Sequence, residues 1–196
     1  LAKNELIHFV GIGGIGMNGL AIIMKGLGFN VQGSDLFSNK NIDNLKKKKI
    51  KTFIGHNKKN LKNSTILVVS SAIKKNNPEY IEAKKRRLPI HKRGEMLGHI
   101  VSLMKNIVVA GSHGKTTTTS LISSIFLKSN IDATVINGGI LNAFENSARL
   151  GKSDWCILES DESDGSFLNL PMTYSIVTNL DLEHLDYYKS LDNLKK

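Results

Sequence analysis

Apolar residues along this chain gather in short runs, divided by longer stretches in which apolar and polar positions recur with helical spacing. Each short run reads as a buried strand and each spaced stretch as a helix. The first half predicts strands over Leu6 to Val10, Val31 to Ser34, Lys51 to Ile54, Thr65 to Ser70 and Leu88 to His91. Helices are predicted between them, over Met17 to Leu27, Ile42 to Lys49, Pro78 to Arg86 and Gly94 to Met104. Strands separated by helices call for a parallel sheet with right-handed crossovers.

The pattern restarts near Lys105, where the boundary between two α/β domains is expected. A strand over Ile107 to Ala110 leads through a glycine turn into a helix over Ser120 to Leu127. Buried strands are then expected over Asp132 to Ile136, Asp154 to Glu159 and Thr173 to Thr178, with the glycine-rich Asn137-Gly138-Gly139 after the first of them. From Leu180 to Lys196 the pattern predicts a turn and the beginning of a helix, with no further strand. The fold class is therefore α/β: a Rossmann-like parallel-sheet domain over residues 1–105, then a P-loop-type α/β domain over 106–196 that is expected to be incomplete. The chain starts at Leu1 rather than Met, so a trimmed start is expected too.

Composition narrows the setting. At 196 residues the chain can bury a real core. No apolar run approaches the roughly 20 residues needed to cross a bilayer. Leu1 to Glu5 run straight into the first strand, so neither a signal peptide nor a membrane partner is expected. Cys156, the single cysteine, lies in an apolar run and reads as a buried, inert thiol. The net charge of +10 is uneven: residues 1–105 hold 20 Lys+Arg against 6 Asp+Glu, and residues 106–196 hold 7 against 11. A basic half suits an anionic ligand and an acidic half a metal site, although solvated helix faces account for lysine runs such as Lys46 to Lys49 equally well. Neither basic run is interleaved with aromatics, so nucleic acid is not an expected partner.

Three stretches carry chemistry. Gly11-Ile12-Gly13-Gly14-Ile15-Gly16 follows the first strand, and Asp35 lies 19 residues beyond Gly16 at the end of the second. This is the layout of a dinucleotide fingerprint, and a loop of this kind can serve any diphosphate, a UDP-sugar included. A tight turn that only packs helix on strand is the plainer alternative. Gly111-Ser112-His113-Gly114-Lys115-Thr116-Thr117 joins the strand at 107–110 to a helix. Loop amides and the positive helix end would face phosphates, Lys115 would reach the β- and γ-phosphates, and Thr116 would bind Mg²⁺. The spacing is the short Gly-x-x-Gly-Lys-Thr form, because Val109 stands where a longer P-loop has its first glycine. Finally, Glu159-Ser160-Asp161-Glu162-Ser163-Asp164 and Asn179-Leu180-Asp181-Leu182-Glu183-His184 place carboxylates at strand ends, where open α/β sheets bind ligands. Mg²⁺ would relieve the cost of crowding them. Acids decorating a helix N-terminus would look the same.

Taken in order, Gly-Ile-Gly-Gly-Ile-Gly-Met, Gly-Ser-Asp, Ser-Ser-Ala-Ile, Gly-Ser-His-Gly-Lys-Thr-Thr-Thr, Glu-Ser-Asp-Glu-Ser-Asp and Thr-Asn-Leu-Asp-Leu-Glu-His-Leu-Asp resemble the Mur ligases of peptidoglycan synthesis. The resemblance spans nearly the whole chain. It implies a UDP-sugar-binding domain, part of a central ATP-binding domain, and a third, closing domain that this chain lacks. It implies further that ATP and Mg²⁺ are used to join L-alanine to the lactyl carboxylate of UDP-N-acetylmuramate through an acyl phosphate. These two domains alone are expected to give no turnover. The resemblance gives Lys115, His184 and Asn179 catalytic roles, and Gly111, Ser112, His113, Gly114, Lys115, Thr116 and Thr117 the ATP. Thr116, Glu159 and His184 would serve the metal. His184 rests on the resemblance, since imidazole is an unusual Mg²⁺ ligand. Gly11, Gly13, Gly14, Ile15, Gly16, Asp35, Ser70, Ser71, His56 and Arg93 would hold the UDP-sugar. A cytoplasmic enzyme, monomeric or weakly dimeric, is implied.

Ser112 and Ser160 depart mildly from the family's usual threonine and alanine. Three alternatives stay open: the related ligase that recycles murein tripeptide, a NAD-dependent oxidoreductase built on Gly11–Gly16 and Asp35, and a binding module that carries a UDP-sugar without chemistry.

Overall fold

The computed structural model describes residues 2–141, 146–160 and 170–181. The chain forms two compact units, Leu1–Met96 and Leu97–Lys196. Among the described residues no helix is long and apolar enough to cross a membrane.

The first unit is built on five parallel strands: β1 (Leu6–Val10), β2 (Asn30–Asp35), β3 (Lys51–Ile54), β4 (Ile66–Val69) and β5 (Ile90–Lys92). They lie in the order β3-β2-β1-β4-β5. The order reverses beside β1, so the carboxyl ends of β1 and β4 flank the crevice where doubly wound sheets take ligands. The crossovers carry α1 (Ile15–Gly26), α2 (Lys40–Lys47), α3 (Pro78–Lys85) and a short 3₁₀ turn over Lys58–Leu61. The next helix, α4 (Arg93–Val101), crosses the division between the units. β1 and β4 are apolar throughout except for His8, as central strands buried on both faces require. Ile7, Phe9, Ile23, Leu45 and Leu67 are fully buried, each contributing about 1.5–3 kcal/mol by removal from water. Helix α2 starts where the Asn39 side chain accepts the Ile42 amide, and α3 where Asn77 accepts those of Glu79 and Tyr80 with Pro78 in the first turn.

The second unit contains β6 (Lys105–Ala110), α5 (Lys115–Lys128), β7 (Thr134–Leu141), β8 (Asn146–Arg149), β9 (Trp155–Glu159) and β10 (Tyr174–Val177), with strand order β10-β6-β9-β7-β8. All pairings are parallel except β7 with β8. Asn106 and Thr173 trade amide-to-side-chain hydrogen bonds at 3.1 Å in each direction, which sets β10 against β6.

Three expectations need correction. Helix α5 begins at Lys115, five residues before the helical pattern becomes apolar, because the glycine turn launches it through four threonines of poor intrinsic helix propensity. Strand β7 runs on through the glycines to Leu141 and pairs with β8, a polar strand that the hydrophobic pattern did not reveal. Strand β10 is an edge strand with mostly exposed positions, not a buried one, since it pairs with β6 alone among the described strands. Tyr174 is 60% exposed, although its ring stacks on Trp155 at 6.1 Å.

Candidate functional site

Each unit places a glycine loop at the carboxyl end of its sheet. In the first, β1 ends at Val10 and the chain turns through Gly11, at φ +83°, into α1. The Ser34 carbonyl accepts the Gly11 amide at 2.8 Å and the Ile12 amide at 3.0 Å. One residue on, Asp35 Oδ2 accepts the Gly13 amide at 2.8 Å. The Gly13 carbonyl accepts from Asn41 Nδ2 at 2.8 Å and Asn39 Nδ2 at 3.3 Å. A Cβ at position 13 would stand 2.9 Å from both Asp35 Oδ2 and Asn39 Nδ2, so any larger residue would push aside the two side chains that hold the loop. Gly13 is thus held through both its amide and its carbonyl. Beyond it, the first turn of α1 presents amides that a helix cannot pair internally.

Several predicted residues converge here. A Cβ on Gly11 would lie 3.2 Å from that of Ser70, so the end of β4 faces the loop. Arg93 reaches the start of α1, its guanidinium about 3.0 Å from where a Gly16 Cβ would be. Ile15 is 46% exposed in the first turn of α1, and Ser71 is exposed beside Ser70. His56 departs from this group. Its side chain is 7% exposed, and Nδ1 faces Ser34 Oγ at 2.9 Å and Glu79 Oε2 at 3.3 Å, within a buried polar network behind the loop.

In the second unit Gly111 takes φ +122°, and a Cβ there would come within 2.3 Å of Thr178 Oγ1 and 2.7 Å of the Asn179 carbonyl. Gly114 caps α5 in the left-handed region. Lys115 Nζ donates to the carbonyls of Gly111 at 2.5 Å and Ser112 at 3.2 Å, which bends the ammonium back over the loop. Thr116 Oγ1 donates to Glu159 Oε2 at 2.9 Å, so the first turn of α5 meets the end of β9. These hard oxygen donors, a hydroxyl and a carboxylate, fit a Mg²⁺ ion that also takes phosphate oxygens. Ser112 Oγ accepts the Asp181 amide at 2.9 Å, and His113 Nε2 lies 3.6 Å from Asp181 Oδ2. Asn179 bonds the His113 peptide rather than standing clear of the loop, and Thr117 is exposed in the first turn of α5. His184, Glu183, Asp161, Glu162 and Asp164 lie outside the described residues, among which no group of three or more His, Cys, Asp or Glu could hold a metal ion.

The sequence pattern missed Asn39 and Asn41, which sit at the start of α2, and Thr178, which donates to the His113 carbonyl at 2.6 Å. It also missed the amide of Asn137, which is 3% exposed with neither end hydrogen-bonded to a described residue. A polar residue closing an apolar strand was the available signal for Asn137; the others depend on what the fold brings beside them.

The chain is similar to known proteins along nearly its whole length. The family described as "Mur ligase family, catalytic domain" matches residues 6–105, and "Mur ligase middle domain" matches residues 109–196. The UDP-N-acetylmuramate–L-alanine ligase of Pelagibacter ubique is 70% identical over all 196 residues, which cover 42% of that protein. The crystal structure of UDP-N-acetylmuramate-alanine ligase MurC from Thermotoga maritima superposes with a TM-score of 0.87 at 30% identity, over 97% of this chain and 45% of that one. The UDP-N-acetylmuramate:L-alanyl-gamma-D-glutamyl-meso-diaminopimelate ligase of Neisseria meningitides gives 0.85 at 26% identity, over 97% of this chain and 65% of that one. The chain spans about two fifths of the length of the curated relatives it matches.

Proposed function

Because this chain belongs to the Mur ligase family, we propose that it carries the UDP-sugar site and the phosphate site of an enzyme that joins L-alanine to UDP-N-acetylmuramate at the expense of ATP. The observation that carries this reading is the contact of Thr116 with Glu159 beside Lys115. An oxidoreductase built on Gly11–Gly16 has no use for a lysine, a hydroxyl and a carboxylate gathered around a second glycine loop. A ligase that moves a phosphoryl group does, since that chemistry needs positioning and neutralisation of charge more than covalent help.

In this reading the first unit binds the diphosphate of the UDP-sugar on the Gly11–Gly16 loop, with Gly14, Ile15 and Gly16 supplying helix-end amides and Arg93 a positive charge. Ser70 and Ser71 donate from the end of β4. Asp35 acts by holding the loop, and His56 by supporting the strand behind it. In the second unit the Gly111–Thr117 loop receives the triphosphate. Lys115 offsets its charge, and Thr116 and Glu159 hold Mg²⁺, which when bound neutralises phosphate oxygens and orients them. Asn179 sets the loop, and the buried amide of Asn137 keeps a donor and an acceptor that no described residue satisfies. His184 is assigned to a second metal by family likeness. The protein is placed in the cytoplasm, where its nucleotide substrates are, as a monomer or weak homodimer.

Calorimetric titration with UDP-N-acetylmuramate, NAD and Mg·ATP tests this. Binding of the UDP-sugar and of Mg·ATP, with Lys115→Ala abolishing the second alone, is the expected result. Binding of NAD in place of the UDP-sugar would overturn it.

A further inference from the structure

Behind the first glycine loop lies a charged group that the phosphate chemistry does not use. Glu79 stands in the first turn of α3 with its side chain fully buried. A buried carboxylate is costly unless its oxygens are well supplied with donors. Here they are. Ser34 Oγ donates to Oε2 at 2.5 Å, and Asn60 Nδ2 donates to Oε1 at 2.6 Å. The Asn57 amide donates to Oε1 at 3.2 Å, while His56 Nδ1 and His8 Nε2 approach Oε2 at 3.3 and 3.5 Å. Gln32 Nε2 faces His8 Nδ1 at 3.1 Å, so the buried imidazole stands between that amide and the carboxylate. Burial pushes the Glu79 carboxyl up, but the bonds from His8, Ser34 and Asn60 outweigh it and hold the group below its ordinary value.

Ser34 links this charge to the loop. Its hydroxyl is held by Glu79, and its carbonyl accepts both the Gly11 and Ile12 amides. The next residue, Asp35, accepts that of Gly13. Three consecutive loop amides therefore hang from two residues at the end of β2, and one of those two is anchored through its side chain to α3.

We propose that Glu79 is a positioning residue for the glycine loop, acting through Ser34 to hold the end of β2 that carries the Gly11, Ile12 and Gly13 amides, and thereby setting the affinity of the site for a diphosphate ligand. The ligand part of this rests on reading Gly11–Gly16 as the UDP-sugar loop. It predicts that a group with no atom on the ligand controls ligand binding, and that Ser34 and Glu79 act as one unit.

The test uses the full chain with Glu79→Gln, Ser34→Ala and the double variant, following amide hydrogen exchange by NMR and UDP-N-acetylmuramate binding by calorimetry. The Gly11 and Ile12 amides should exchange about tenfold faster in each single variant, the Kd should rise about tenfold, and the double variant should be no worse than the weaker single one. Mg·ATP affinity should not change. Ser34→Ala keeps the experiment decisive if Glu79→Gln fails to fold. A variant that melts at lower temperature, yet keeps wild-type loop protection and UDP-sugar affinity while folded, would overturn the proposal, because Glu79 would then serve stability alone. If the wild-type chain binds no UDP-sugar, the ligand assignment fails, and amide exchange still decides whether Glu79 sets the loop.

Discussion

Asn179 holds both ends of the His113 residue: its Oδ1 accepts the His113 amide at 2.9 Å and its Nδ2 donates to the His113 carbonyl at 2.9 Å. The chain segment after β10 thereby shapes a loop that begins after β6, which brings residues 66 positions apart together in the proposed phosphate site. Asn179→Ala removes both bonds, each contributing about 1 kcal/mol. Mg·ATP affinity should fall by about tenfold or more, while UDP-N-acetylmuramate affinity stays as it was. Parallel titrations of the two ligands check this, and an unchanged Mg·ATP affinity would remove Asn179 from the loop's support.

Gly111→Ala should act on stability before it acts on binding. The residue sits at φ +122°, and an added Cβ would meet the backbone of Asn179 at 2.7 Å, where no side-chain rotation can relieve it. A loss of about 1–3 kcal/mol is expected from the strain alone. Trp155, the single tryptophan, lies in the second unit and reports its unfolding in denaturant. A wild-type midpoint for the variant would contradict the geometry.

Acid should loosen the first unit through Glu79. Its folded value lies below the ordinary 4.5, so its contribution to stability is complete above the unfolded value and is lost as the pH falls through the folded one. Melting temperature should therefore decline on the acid side of about pH 4.5, and Glu79→Gln should flatten that limb while lowering the plateau at neutral pH. Melting curves followed by circular dichroism between about pH 3 and pH 7 measure both effects. A parallel acid limb in the variant would assign the loss to other carboxylates.

Cys156 should be inert in the folded chain. It is 0% exposed in β9, and burial raises its thiol to about 12. Thiolate, the reactive form, is then scarce at about pH 8, and reagent cannot reach it. Alkylation by iodoacetamide, read by mass spectrometry, should proceed only as fast as the second unit opens, and rapidly in denaturant. Fast labelling under native conditions would mean that β9 is not the closed central strand described.

Local pattern determined most of the framework. The apolar runs at 6–10, 66–69 and 155–159 read as buried strands, and the glycines at 11, 13, 16, 111 and 114 announced two turns that need left-handed backbone or close approach. Lys115, Thr116 and Glu159 were legible because their residue types and strand-end positions belong to phosphate and metal chemistry. What the pattern could not reveal depends on neighbours in space. Whether β10 is central or at an edge is set by strand order, and the period of a strand does not encode its neighbours. The polar β8 forms because β7 offers it a free edge, not because its side chains ask to be buried. Glu79 reads in sequence as an ordinary acid in the first turn of a helix; only the assembled fold, which packs α3 against the 3₁₀ turn at Lys58–Leu61, buries it among His8, Ser34 and His56. His56, which resembled a ligand for a sugar-nucleotide, faces inward for the same reason. Periodicity records which way a side chain points along its own element, and hydrogen-bond partners from distant elements exist only once the sheet has assembled.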